Sequence, residues 1–232
     1  MSSPENTRDL FGDRADEYAR TRPAYPDALF DHLLSLAPGR ELAWDCGTGS
    51  GQSARSLAKS FALVLATDTS PRQLASAGQH PRIARVAAAA EQAPLRSRCA
   101  DLVTVSAALH WFDRPRFFAE VQRVARPGAL IAAWSYFQTR IDPAVDAVLV
   151  RYADQVVGAM WSPAIQLNRD AYRNVEFPFE PLPWPPCHAE GRMRLADLFQ
   201  YMRTWSASQA WERERGSDPV EIVRADLERA WG

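Results

Sequence analysis

Cysteine is scarce in this chain: only Cys46, Cys99 and Cys187 occur among 232 residues, far apart and odd in number. No CxxC pair or Cys/His ligand spacing appears, so neither a disulfide framework nor a metal site is expected. Free thiols fit a reducing compartment, and the expected location is cytoplasmic. An excess of charge of one sign is also missing. Twenty-seven basic residues face 28 acidic ones, a formal net charge of −1. That balance offers no electrostatic reason to expect nucleic acid or an anionic membrane as a partner. No apolar run approaches the ~20 residues of a membrane span. The stretch Met1–Leu10 is polar and charged, unlike a signal peptide. Internal repeats and low-complexity segments are absent.

What is present is enough hydrophobic residue, 47 % of the chain, to bury a sizeable core. The length suits one α/β domain, or a domain of roughly 150–200 residues with a small cap. An amphipathic stripe of Leu29, Phe30, Leu33, Leu34 and Leu36 predicts a short helix, started near Pro26 and ended by Pro38-Gly39. Short apolar runs follow at Leu42–Trp44, Leu63–Thr67, Ile83–Ala87, Leu102–Val105 and Ala129–Trp134. Bounded by turn residues and separated by helices, they read as buried parallel strands. Ser70 before Pro71 and Asp113 are expected helix caps, and Arg126-Pro127-Gly128 is expected to stop the helix begun at Asp113. Strand–helix alternation implies a doubly wound, mostly parallel Rossmann-like sheet. After Phe137 the pattern turns helical. A long helix is expected from Asp142-Pro143 to about Trp161, another over Leu195–Trp205, and a last one from Asp218-Pro219. Between them lies the Pro/aromatic stretch Phe177–Pro186.

The strongest chemical signal is Trp44-Asp45-Cys46-Gly47-Thr48-Gly49-Ser50-Gly51-Gln52, after one strand and before a helix. Glycines let the backbone turn and approach a ligand closely. A nicotinamide-binding loop would read G-x-G-x-x-G with a pyrophosphate at the helix start. Here the third glycine comes one residue early and Asp45 precedes the first, which would repel a pyrophosphate and suit a ligand with an ammonium group. A glycine-rich turn without a ligand is the plain alternative. Asp68 ends the second strand, where an acid can reach two ribose hydroxyls; it could also cap the helix at Pro71.

These residues resemble the class I S-adenosylmethionine-dependent methyltransferases, whose first cofactor motif is D-x-G-x-G-x-G. Within that class the chain is similar to the type 11 group and its trans-aconitate methyltransferase-like branch. The resemblance rests also on Tyr18–Pro26, Ala90–Leu95, Ala107–Asp113 and Thr204-Trp205-Ser206, and runs from about Leu10 to Trp231. It implies that Asp45, Gly47, Gly49 and Gly51 hold the methionine part of S-adenosylmethionine. Asp68, with Thr69 beside it, would bind the ribose, and Ala90 and Glu91 would meet the adenine. Ser106 would lie under the sulfonium, and Tyr18 and Arg22 would fold over the cofactor. Residues 1–40 would then be a helical lid, 41–137 the cofactor-binding core, and 138–232 a substrate cap returning to the sheet.

His110 follows the fourth strand, at the edge where ligands bind. It is the candidate base, or the group that orients the acceptor; a packed core histidine is the bland alternative. Trp111, Tyr201 and Trp205 are candidates to line the substrate pocket. The expected function is methyl transfer to a small-molecule acceptor, on a carboxylate or a hydroxyl. The alternatives are a non-catalytic S-adenosylmethionine-binding regulator and, against Asp45 and the early third glycine, a nicotinamide oxidoreductase. The class ends with a seventh strand. Cys187–Arg194 is the candidate sixth strand here, and no β-branched run remains for a seventh, so a truncated chain is expected.

Overall fold

The computed structural model describes residues 24–136, 139–170, 172–184 and 187–232. Its centre is a five-stranded sheet in the order β3-β2-β1-β4-β5. The strands are β1 (Leu42–Cys46), β2 (Leu63–Asp68), β3 (Ile83–Ala87), β4 (Ala100–Ser106) and β5 (Ala125–Trp134). All four pairings are parallel. Parallel strands need crossover connections. Helices α2 (Gln52–Leu57), α3 (Pro71–Ser76) and α4 (Arg114–Val124) supply them for β1–β2, β2–β3 and β4–β5, an irregular segment joins β3 to β4, and α1 (Asp27–Leu36) precedes β1. Leu29, Phe30 and Leu33 of α1 pack with Leu57 of α2 against Ala43, Val64 and Ala132 on one face of the sheet. Phe117, Phe118 and Val121 of α4 pack against Trp44, Val103 and Val105 on the other. Both faces are therefore covered, which explains why β4 reads as an unbroken apolar run rather than an alternating one.

The caps form as expected. The Ser70 hydroxyl accepts from the Gln73 amide, and the Asp113 carboxylate accepts from the Arg116 amide. Gly39 has a packing reason as well as a turn reason, because a Cβ there would stand 2.4 Å from Asp101 Oδ1. Asp101 is itself fully buried. It accepts the Glu41 and Leu42 amides at 2.9 and 3.0 Å and pairs with Arg126 at 2.7 Å, so one carboxylate fixes the start of β1 against β4 and β5.

Four expectations are corrected. The helix begun at Asp113 ends at Val124, and β5 starts immediately at Ala125; Arg126-Pro127-Gly128 lies inside the strand. The register shifts there between Ala100 and Leu102, so the extra residues form an irregularity on an edge strand, where a proline without an N–H is tolerated. Second, the helix from Asp142 is not continuous. It runs as α5 (Pro143–Arg151), widens into a π turn over Tyr152–Val156 and finishes as a 3-10 turn at Gly158–Met160, followed by α6 (Ile165–Arg169).

Third, Cys187–Arg194 forms no strand and is mostly exposed. Among the described residues the chain does not return to the sheet. Fourth, the helix from Leu195 stops as α7 at Arg203 and is followed by α8 (Ser206–Arg215), which periodicity did not separate. After a 3-10 turn at Pro219–Ile222 comes α9 (Arg224–Trp231). Leu198, Met202, Val220, Val223 and Leu227 join Val145 and Tyr152 in a second core of helices alone.

The Pro/aromatic stretch crosses between the two faces. Phe177 and Phe179 meet Phe118 of α4, while Trp184 stands edge-on to His32 of α1 at 5.3 Å. Because α1 and α4 lie on opposite faces, the segment wraps round the β5 side of the sheet. No helix among the described residues is long and apolar enough to cross a membrane.

Candidate cofactor and acceptor site

The strand order reverses between β1 and β4: the chain moves outward through β2 and β3, then returns to the other side of β1. The two loops that leave β1 and β4 diverge, and the crevice at their carboxyl ends is where open α/β sheets bind ligands. The glycine loop lies on one side of it and Ser106–Trp111 on the other.

Gly47, Gly49 and Gly51 all have positive φ, at 65°, 55° and 78°, a conformation other residues adopt only at a cost. A Cβ on Gly47 would stand 2.6 Å from the Ala108 Cβ, so this glycine lets the two loops touch. On Gly49 a Cβ would find nothing nearer than 3.8 Å, so the loop is open there and leaves room for a ligand. Arg55 braces the loop from behind, donating to the carbonyls of Ser50 and Ala77.

Asp45 is 0 % exposed. Its carboxylate accepts the Thr48 hydroxyl at 2.5 Å and the Thr104 hydroxyl at 2.7 Å, tying the loop to β1 and β4. Burial pushes its pKa up to about 6 against the two hydroxyl hydrogen bonds that lower it. Asp68 accepts the Gly49 amide at 2.9 Å and the Ser70 amide at 2.8 Å, which ties the glycine loop to the start of α3. The Thr69 backbone is a further partner, and a carboxylate, with about four lone-pair positions, retains capacity beyond these. Burial also raises the Asp68 pKa, against its backbone hydrogen bonds. Thr69 is exposed beside it. The buried Cys46 thiol, one residue after Asp45, is pushed up by desolvation and stays protonated.

The loop after β3 is tied to α4 by two carboxylates. Ala90 is buried, Glu91 accepts the Asp113 amide at 2.9 Å, and Glu120 accepts the Ala93 amide at 2.6 Å. After β4, Ser106 is half-buried and Ala107 takes a φ of 52°, uncommon for a residue with a Cβ. His110 follows in a short 3-10 turn and is 5 % exposed. Its Nδ1 lies 3.0 Å from the Tyr172 hydroxyl, and its ring centroid 4.7 Å from that of Trp111. Desolvation lowers its pKa to about 4.

The structure thus gathers Asp45, Gly47, Gly49, Gly51, Asp68, Thr69, Ser106, His110 and Trp111 along the carboxyl ends of β1, β2 and β4, with Ala90 and Glu91 after β3. Tyr201 and Trp205 stand elsewhere. Tyr201 is buried in the helical second core, and Trp205 packs there on Tyr152, Trp161 and Tyr201. Tyr18 and Arg22 lie outside the described residues. Sequence reasoning missed Thr48, Thr104 and Tyr172. Thr48 lies within the glycine motif without a role read for it, Thr104 carries no signal beyond being polar in an apolar run, and Tyr172 is 62 residues from the histidine it meets.

Fold and site define an α/β protein with a parallel sheet, a glycine loop after β1 and an acid at the end of β2. A family profile described as a methyltransferase domain matches residues 44–133. Over 235 residues the chain is 30 % identical to a Dictyostelium discoideum protein described as a methyltransferase, spanning 100 % of this chain and 89 % of that one. A solved structure from Anaeromyxobacter dehalogenans, described as a type II methyltransferase, matches with a TM-score of 0.82 and 42 % identity over 91 % of this chain and 90 % of that one. A Mycobacterium tuberculosis protein described as an uncharacterized methyltransferase is 35 % identical over 133 residues, 56 % of this chain and 54 % of that one. The chain belongs to the class I S-adenosylmethionine-dependent methyltransferases. The nicotinamide and non-catalytic readings give way to that assignment.

Proposed function

We propose that the protein methylates an oxygen of a small organic acceptor, a carboxylate in the first instance. The observation that carries this reading is His110, buried at the ligand-binding edge of the sheet and neutral at physiological pH. A base with a pKa of about 4 is badly matched to taking a proton from a hydroxyl, since a general base works best near the operating pH. A carboxylate is already deprotonated and needs only to be held in line with the methyl group, and alignment alone can supply much of the rate. The resemblance to the trans-aconitate methyltransferase-like branch supports an acidic acceptor in the same way.

When bound, S-adenosylmethionine supplies an electrophilic methyl group on a sulfonium. In this reading Asp68 accepts from the ribose hydroxyls. Asp45 fixes the loop through Thr48 and adds negative potential toward the cofactor's ammonium group. Gly47 and Gly49 admit the methionine part, Ala90 and Glu91 flank the adenine, and Ser106 lies below the reacting centre. His110 and Trp111 orient the acceptor and exclude water. Trp205, half-buried at the edge of the helical core, and Tyr201 behind it pack within that core, and this reading gives them no contact with the acceptor.

The test is a screen with methyl-labelled S-adenosylmethionine against carboxylic acids, hydroxylated rings and quinols. Label recovered as base-labile methyl esters supports the reading. Label confined to hydroxyl or ring acceptors, or to protein or nucleic acid, overturns the carboxylate assignment.

A further inference from the structure

His110 is held from outside its own loop. The segment that begins with α6 leaves two polar side chains on the carboxyl edge of the sheet. Asn168 bonds Ser135, just after β5, and Tyr172 meets His110, just after β4. Tyr172 is 6 % exposed and belongs to the core built around α4. Its backbone sits at φ 58°, a left-handed conformation unfavourable for a residue that bears a side chain, and its amide closes back on the Leu167 carbonyl at 2.9 Å. The fold therefore holds an unfavourable backbone conformation at the residue that delivers a hydroxyl to His110. Ala107, on the other side of the histidine, is held in the same region at φ 52°.

The 3.0 Å contact occupies Nδ1, so Nε2 is the nitrogen left for an acceptor. A phenolic O–H is a stronger donor than a neutral imidazole N–H, and an imidazole nitrogen is a stronger acceptor than a phenolic oxygen. Between two neutral groups the favoured arrangement is O–H to nitrogen. We propose that Tyr172 is the positioning residue of His110: its hydroxyl donates to Nδ1, the ring proton is held on Nε2, and His110 meets the acceptor oxygen as a hydrogen-bond donor rather than as a base. This rests on the methyl-transfer reading above and deepens it, because a donor at that point selects acceptors with a bare, electron-rich oxygen. A hydrogen bond accepted at Nδ1 also disfavours the imidazolium, in the same direction as burial.

The experiment is nitrogen-15 NMR of the histidine rings in the whole chain, with His110 assigned through His110→Asn. In the wild type the neutral Nε2–H tautomer should dominate by about tenfold or more near neutral pH. In Tyr172→Phe, which keeps the ring and its packing, that ratio should fall by about tenfold, the worth of one hydrogen bond. The dissociation constant for S-adenosylhomocysteine should stay within about twofold. A wild-type spectrum showing the Nδ1–H tautomer, or an even mixture, overturns the proposal without any variant. So does a ratio unchanged in Tyr172→Phe. Calorimetry of the wild type with S-adenosylhomocysteine separates the two levels: no binding overturns the functional reading beneath the proposal, whereas normal binding with the wrong tautomer overturns the proposal alone.

Discussion

At the scale of single residues the two acids of the site carry distinct burdens. Asp68 holds the Gly49 and Ser70 amides and is the group proposed to take the ribose hydroxyls. Charge-assisted hydrogen bonds are worth about 1.5–3 kcal/mol each. Asp68→Ala should therefore weaken S-adenosylhomocysteine binding by at least about a hundredfold in calorimetry, and an unchanged affinity would remove Asp68 from the site. Asp45 is a question of stability against pH. Its folded pKa of about 6 lies above the ordinary carboxylate value, so the folded chain holds the proton more tightly than the unfolded one. The resulting stability is fully present below about pH 4 and is lost as pH rises through about 6. Two pKa units correspond to about 3 kcal/mol. Asp45→Asn should gain on the wild type by up to that amount between about pH 4.5 and 7.5 in urea denaturation, while binding S-adenosylhomocysteine more weakly. A stability difference that is the same at both pH values would show an ordinary carboxylate.

At the scale of elements, short polar side chains decide where helices begin. Asp142 accepts the Ala144 and Val145 amides at 2.8 and 3.1 Å, and α5 starts there for that reason. Removing such a cap costs about 1 kcal/mol. Asp142→Ala should lower the melting temperature by about 2–4 °C in a chain of this size and leave S-adenosylhomocysteine affinity unchanged, since the cap lies outside the glycine loop and the Asp68 cluster. Element ends signalled by chemistry were legible in the sequence: Ser70-Pro71, Asp113 and Asp142-Pro143 all cap as read. Ends set by geometry were not. Arg126-Pro127-Gly128 looks like a helix stop, yet Asp101, 25 residues earlier, draws Arg126 into the strand region through an ion pair. The π turn at Tyr152–Val156 keeps the apolar stripe that predicts a continuous helix, so periodicity cannot reveal it.

At the scale of the whole molecule the described residues form two cores, one made of the apolar layers on both faces of the sheet and one among α5, α7, α8 and α9. Ligand that binds only the folded state raises stability by about 2.7 kcal/mol at a hundredfold excess over its dissociation constant. At about 2–4 °C per kcal/mol, S-adenosylhomocysteine should raise the melting temperature by roughly 5–10 °C, as measured by differential scanning calorimetry. If the two cores melt in separate transitions, the shift belongs to the one that contains β1 and β4. A scan in which neither transition moves would contradict cofactor binding at the proposed edge.

The sequence by itself determined the cofactor class and the sheet. An acid, three glycines and a helix start must stand in contiguous order to make a turn that a ligand can approach, and five short apolar runs alternating with helical patterns imply a parallel sheet covered on both faces, while its strand order came from the structure. The candidate site was legible to the extent that its parts are local: Asp45 through Gly51, Asp68, and the short stretch from Ser106 to Trp111. Only the tertiary structure decided what those residues touch. Asp45 meets Thr104, 59 residues away, and His110 meets Tyr172 across a helical segment. Tyr201 and Trp205, aromatic and helical like any pocket wall, went instead to a core of their own. Cys187–Arg194 took no strand because β-pairing depends on a neighbour's position, which no local pattern encodes. Burial then set the acidities, raising Asp45 and lowering His110, because desolvation depends on what the rest of the chain folds around a group.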